Sequence, residues 1–248
     1  MRSLVTELVF EPGVEDLHAY GATLIEGLPG VGLVAKVAVA YMLSKFQAKR
    51  VCRFYSPYFP SLIYVQDGRL VPTFADLYLV EKPAPILFLY GNSQPSSSYG
   101  QYELCEKILD VAVDLGANFI MTLGGYGKEE VSEVREVYVS STRPETIMRV
   151  TKKIPAKVYA GQIVGAAGLL ITLADERGLD NLSMLVEASE MTPDYYAAKR
   201  AVESVNTLLD LGLKIEDVDG ISRTYISTLY SLDTRWTPLP SKTSITNL

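Results

Sequence analysis

The sequence predicts an α/β domain of three layers: a largely parallel or mixed sheet, flanked by helices, with one added β-hairpin. Three observations carry this. Strand-like apolar runs alternate with helix-length segments almost throughout the chain. Two of the runs, PILFLY at 85–90 and NFIMTL at 118–123, are continuous enough for strands buried on both faces. Glycine-containing turns follow the strand runs, at 27–32, 91 and 124–127. With 248 residues, 48% of them hydrophobic, the chain is long enough for one large core. We therefore expect a single domain over 1–248, with its core at about 20–212 and a C-terminal arm at about 234–248.

Each element has its own signal. Residues 22–26 predict the first interior strand. Residues 30–46 predict a helix with Val31, Val34, Val37, Ala38 and Met42 near one face. A second strand is predicted at 50–55. Asp67-Gly68, set between two apolar runs within 61–74, predicts a hairpin beside the main sheet. The strand at 85–90 ends in a polar loop, and the helix predicted at 99–115 stops at Gly116. After the strand at 118–123 come strands at 136–140 and 156–159, with a short helix from Pro144 between them. Gly165-Ala-Ala-Gly168 opens a small-residue helix reaching Asp175, and Gly178 closes it. A strand follows at 182–188. The helix at 194–211 shows Tyr195, Ala198, Val202, Val205 and Leu209 at helical spacing before Gly212.

Composition excludes several function classes. The net charge is −6 and no block of Lys or Arg is present, which argues against binding a nucleic-acid backbone. No apolar run approaches the ~20 residues of a membrane span, and the N-terminus MRSLVTE lacks a signal-peptide core, so a cytoplasmic protein is expected. Cys52 and Cys105 form no metal box and read as buried thiols. The single histidine, His18, comes before the first core strand, which argues against most His-based triads and His-rich metal sites. Neither a catalytic set, a metal nor a cofactor is expected.

The chemistry-bearing segments are three glycine or small-polar loops that follow strands, at 27–32, 91–98 and 124–127. In an open parallel sheet such loops gather at the carboxyl ends of the strands, where ligands bind. Gly27, Gly30, Gly32, Asn92, Ser93, Gln94, Gly124 and Gly125 are the candidate ligand-binding residues. A sharp strand-to-helix turn also requires glycine for purely structural reasons, and either reading fits the residues. Gly30-x-Gly32-x-x-Ala35 satisfies the short dinucleotide fingerprint. The rest of that fingerprint is missing: the second strand brings Arg50 and Arg53 where an acid should hold the ribose, and no acid occurs before Asp67. Arg50 or Arg53 suits only a 2′-phosphate version. Glu26 would repel a phosphate, and Pro29 removes an N–H donor. Lys36 sits in no Walker pattern. Ser96, Ser97 and Ser98 have no evident base partner. Glu187 and Glu190 flank the end of a strand and read as structural carboxylates before they read as an acid–base pair.

Five segments occur in a fixed order: GLPGVGLVA at 27–35, GNSQP at 91–95, GGY at 124–126, GAAGLL at 165–170 and MTPDYYAA at 191–198. Together, over roughly residues 20–212, they resemble the proteasome assembly chaperone family in its archaeal and bacterial form. The resemblance implies a nucleoside-phosphorylase-like α/β domain, assembled as a homo-oligomer, and partners among the proteasomal α subunits. Some archaeal relatives bind the proteasome through a C-terminal hydrophobic-Tyr-any tripeptide, whereas this sequence ends Ile245-Thr-Asn-Leu248. The function expected is that of a non-catalytic, homo-oligomeric binding protein. The alternative is a nucleoside or phosphate binding protein, or an enzyme, working through the glycine loops.

Overall fold

Alternating apolar and amphipathic segments build one nine-stranded sheet with helices on both faces, as seen in a computed structural model describing residues 5–14, 16–66, 68–189 and 192–232. Strands β1 (Glu7–Phe10) and β2 (Ala22–Gly27) lead through a 3₁₀ turn at Val31–Leu33 into α1 (Val34–Lys45). Then come β3 (Lys49–Tyr55), the hairpin pair β4 (Tyr64–Gln66) and β5 (Arg69–Val71), β6 (Ala75–Val80) and β7 (Ile86–Gly91). Helix α2 (Ser98–Asp114) precedes β8 (Ala117–Gly127), β9 (Val137–Ser140), α3 (Pro144–Lys153) and β10 (Lys157–Val158). The chain continues through α4 (Ala166–Glu176), β11 (Asp180–Ala188), α5 (Tyr195–Leu209) and α6 (Val218–Leu232).

The strand order is β1-β3-β6-β7-β2-β8-β11-β9-β10. Its centre, β7-β2-β8-β11, is parallel, whereas β1, β3 and β6 on one side pair antiparallel and β9 returns antiparallel to β11. The sheet is thus mixed, within the expected class, and the hairpin β4-β5 stands apart from it. The turn residue Asp67 lies outside the described residues.

Side chains of the central strands alternate between two cores, because successive Cβ atoms point to opposite faces. One core gathers Leu24, Leu89, Ile120 and Ala117 under α2 and α4. The other gathers Ile25, Phe88, Met121 and Val186 under α1, α5 and α6. Helix α1 is apolar nearly all round, and its residues from Val34 to Leu43 are buried. Such a helix belongs between two layers rather than on a surface, and it packs on β2, β7 and β8 from below and on α5 and α6 from above.

Three elements go beyond the sequence reading. Strand β1 adds an edge, β6 fills the gap between β3 and β7, and α6 carries Ile221, Tyr225 and Leu232 into the core beyond residue 212. The predicted helix start at residue 30 moves to 34. Gly32 (φ 60°) and Leu33 (φ 51°) adopt left-handed backbone, so regular helix begins only after them. The predicted C-terminal arm lies outside the described residues. Among the described residues no helix is long and apolar enough to cross a membrane.

Candidate functional site

The parallel centre brings the carboxyl ends of β7, β2, β8 and β11 to one edge of the domain, at Gly91, Gly27, Gly127 and Ala188. The three predicted glycine loops therefore do converge. The loop at 27–33 occupies their middle and is fastened on several sides. Leu28 N donates to Glu26 Oε1 (2.7 Å), Gln94 Nε2 donates to the Pro29 carbonyl (2.7 Å), and Asp194 N donates to the Gly32 carbonyl (2.9 Å).

The candidate residues divide by role. A Cβ at Gly27 would lie 2.5 Å from the Val39 side chain, so glycine there lets α1 close onto β2. One at Gly125 would lie 2.4 Å from the Val31 carbonyl oxygen, so β8 and the loop touch backbone to backbone. Gly124 faces Leu185 at 2.8 Å by the same measure, whereas Gly30 faces open space. Asn92 donates to the Pro72 carbonyl (2.9 Å) and accepts from Phe74 N (2.9 Å), which pins the segment after the hairpin. Gln94 accepts from Ala166 N (3.1 Å) and Gln101 Nε2 (3.2 Å), which caps α4 where Gly165 offers no side chain. Ser93 is buried beside them, its hydroxyl 3.4 Å from the Gln94 carbonyl.

The loop is a partition between two recesses. On one side Gly30, Gly32, Gly127, Lys128, Ser189 and Thr192 line about 380 Å³. On the other, Pro29, Leu33, Tyr64, Asn92 and Tyr225 line about 290 Å³. The predicted set is thus gathered at one end of the sheet, but Gly30 and Gly32 open onto a different space from Asn92.

Electrostatics here centre on residues that the glycine pattern did not reveal. Lys128, directly after β8, reaches Glu187 Oε1 (3.0 Å) and Tyr138 Oη (3.1 Å). Glu187 also accepts from Ser132 N (3.1 Å) and Glu136 N (3.2 Å). Burial alone would push this carboxyl up, but Lys128 and the two backbone N–H groups outweigh it and hold its pKa at about 2. Glu187 is therefore a structural anion; Glu190 lies outside the described residues. Tyr126, Tyr138 and Tyr159 stack edge to face, with centroids 5.2 to 6.4 Å apart, and the same lysine lies over the Tyr126 and Tyr138 rings. Asp194 caps α5 by accepting from Ala197 N (3.0 Å), and it also accepts from Ser189 N (2.8 Å) and Arg135 Nη2 (3.2 Å). Its position three residues before Ala197, at the start of a helical pattern, was the available sequence signal.

Glu26 is the exception. It is 1% exposed, its Oε2 has no hydrogen-bond partner, and burial pushes its pKa up to about 8 against the weaker pull of the Leu28 and Leu123 N–H groups. At neutral pH it carries a proton, so it is no anion facing the loop. Cys52 and Cys105 are buried free thiols whose pKa burial pushes up, which removes them as nucleophiles at neutral pH.

A family profile described as the PAC2 family matches residues 24–223, most of the chain. The chain belongs to the PAC2 family. An uncharacterized protein of Methanocaldococcus jannaschii, MJ1210, is 32% identical over 200 residues, covering 80% of this chain and 78% of that protein. Among solved structures, Pyrococcus furiosus PbaB, described as an archaeal proteasome activator, superposes with a TM-score of 0.79 at 28% identity, over 93% of this chain and 98% of that one. Pyrococcus furiosus PbaA, described as an archaeal homolog of proteasome-assembly chaperone, shares the fold with a TM-score of 0.73 at 22% identity, over 92% of this chain and 96% of that one. The resemblance seen in the ordered sequence segments is thereby confirmed at the level of family and fold.

Proposed function

We propose that this PAC2 protein is a non-catalytic binding protein that self-associates and engages proteasomal α subunits. The observation that carries the reading is the near-complete structural match to PbaB at 28% identity. The site geometry supports it: Asn92 and Gln94 spend their polar groups on neighbouring loops, and Lys128 is paired to Glu187. The hairpin supports it too. Val65 and Leu70 on the two-stranded unit, and Ile63 just before it, are exposed (66%, 65% and 49%), a disposition that suits a binding surface. Native mass spectrometry of the protein, alone and mixed with proteasomal α subunits of its own organism, tests the reading. A discrete oligomer that takes up α subunits is the expected result. A monomer, or an oligomer that ignores them, overturns it.

A second reading has one observation in its favour: the 380 Å³ recess keeps Gly30 and Gly32 beside Lys128 at the strand ends. In that reading the recess takes a nucleoside or phosphate. A ligand bound only by the native state raises the melting temperature, and a bulky substitution at Gly30 would abolish that rise. An unchanged melting temperature across a nucleoside and phosphate panel removes this reading.

A further inference from the structure

The opposite end of the central strands holds a third recess, unrelated to the glycine loops. It lies where β8 and β11 begin, and α3 and α5 close over it. Its walls include Met121 (1% exposed), Leu182 (0%), Val150 (4%) and Leu208 (9%), and its volume is about 130 Å³. Apolar cavities of roughly 150 Å³ stay dry and admit a benzene-sized molecule, because water finds no partners in them. This recess is of that size and character, but it has a mouth.

The mouth is cationic. Arg149 and Lys153, one turn apart on α3, both line it. Arg149 is engaged by Asp180 (2.8 Å) and stands 5.7 Å from the Phe119 ring. Lys153 donates to the Leu208 carbonyl (3.2 Å) at the end of α5, and no carboxylate pairs with it among the described residues. One of the two cations is thus neutralised by a carboxylate and the other is satisfied by a neutral carbonyl. The Lys153 ammonium keeps further N–H donors beyond the one spent on that carbonyl, and an incoming anion would give it an opposite charge to bond as well.

We propose that this recess binds a small organic monocarboxylate, with an aromatic ring or short branched chain seated against Met121, Leu182 and Val150 and its carboxylate on Lys153. The apolar body gains from leaving water, and the lysine selects acids over neutral molecules of the same shape. This site is independent of the proteasome reading and of the glycine-loop recesses.

The test is a titration of the full chain, labelled with ¹³C at its methionine methyl groups, with benzoate and separately with toluene. Benzoate is expected to shift the Met121 signal saturably while leaving Met42, buried in α1, in place. Toluene is expected to bind about tenfold more weakly, and Lys153→Met, a change at an exposed side chain, to weaken benzoate about tenfold with toluene unaffected. No saturable Met121 shift by about 10 mM benzoate overturns the site. Equal affinity for toluene and benzoate, or benzoate binding indifferent to Lys153→Met, overturns the ligand class.

Discussion

Glu26 and Glu187 end two strands of one sheet, separated only by β8, and each is 1% exposed. Their protons nevertheless behave oppositely. Glu26 has only backbone donors, the Leu28 and Leu123 N–H groups, and its pKa stands at about 8; Glu187 has Lys128 as well as two backbone donors, and its pKa falls to about 2. Both carboxyls are equally shielded from solvent, but Glu26 lies deeper in the protein and has no cationic partner among the described residues, and the two differences together decide the charge state. The pair also shows how one edge of a sheet can hold a neutral acid and a fixed anion with a single strand between them.

The largest expected effect comes from removing the proton requirement at Glu26. A carboxyl whose pKa is raised from 4.5 to about 8 on folding contributes stability that is complete below pH 4.5 and is lost as pH rises through 8. Glu26→Gln keeps the shape without the titration. It should raise unfolding free energy by about 3 kcal/mol at pH 7 and by nearly nothing at pH 4, measured by urea denaturation at both values. A gain equal at both pH values would break the comparison. Glu187 has the reverse linkage: its stability is present above pH 4.5 and is lost as pH falls through 2. Glu187→Gln should cost about 2 kcal/mol at neutral pH, and the penalty should shrink in acid. Taken together, the two groups place the wild-type stability maximum near pH 4.5 to 5, with a fall on either side, and a denaturation series from pH 3 to 9 reads this directly.

Two smaller substitutions separate the carboxyls from the loops beside them. Gly125→Ala sets a methyl 2.4 Å from the Val31 carbonyl oxygen and should cost about 1 to 3 kcal/mol at every pH. Gly30→Ala, which meets nothing within 4 Å at ordinary extended φ, should stay within about 0.5 kcal/mol. A strong effect at Gly30 and none at Gly125 would mean that the loop is not fastened as described.

What the sequence revealed follows the range of the interactions involved. The runs at 85–90 and 118–123 identify buried strands because their burial is written in consecutive residues, and the hairpin is written in a dipeptide. Strand β6 escaped because its second residue is Asp76, which reads as a loop until Arg53, 23 positions earlier, is seen to hold it with two bonds (2.6 and 2.7 Å). Helix α6 escaped because Gly220 and several Ser and Thr residues give it weak local propensity; packing of Ile221 and Tyr225 into the core stabilises it instead. The glycine loops were found, and so was their convergence. The pairing of Lys128 with Glu187 spans 59 residues and left no local trace. The sequence also marked Glu26 as a phosphate-repelling charge, which holds only for an exposed acid. Its buried neighbours, Thr122 across β8 and Cys105 on α2, appear only once the sheet is assembled.

The sheet's outermost strands bear on how copies of the protein could meet. Strand β1 offers four residues and β10 only two, with Lys157 on the latter bound to Glu136. Edges this short give another chain little backbone to zip onto, so continuation of the sheet from molecule to molecule is not expected. Any ring or cluster of this protein is therefore expected to be glued by side chains, Val65 and Leu70 of the hairpin and Ile63 just before it foremost, and to come apart when those are made polar.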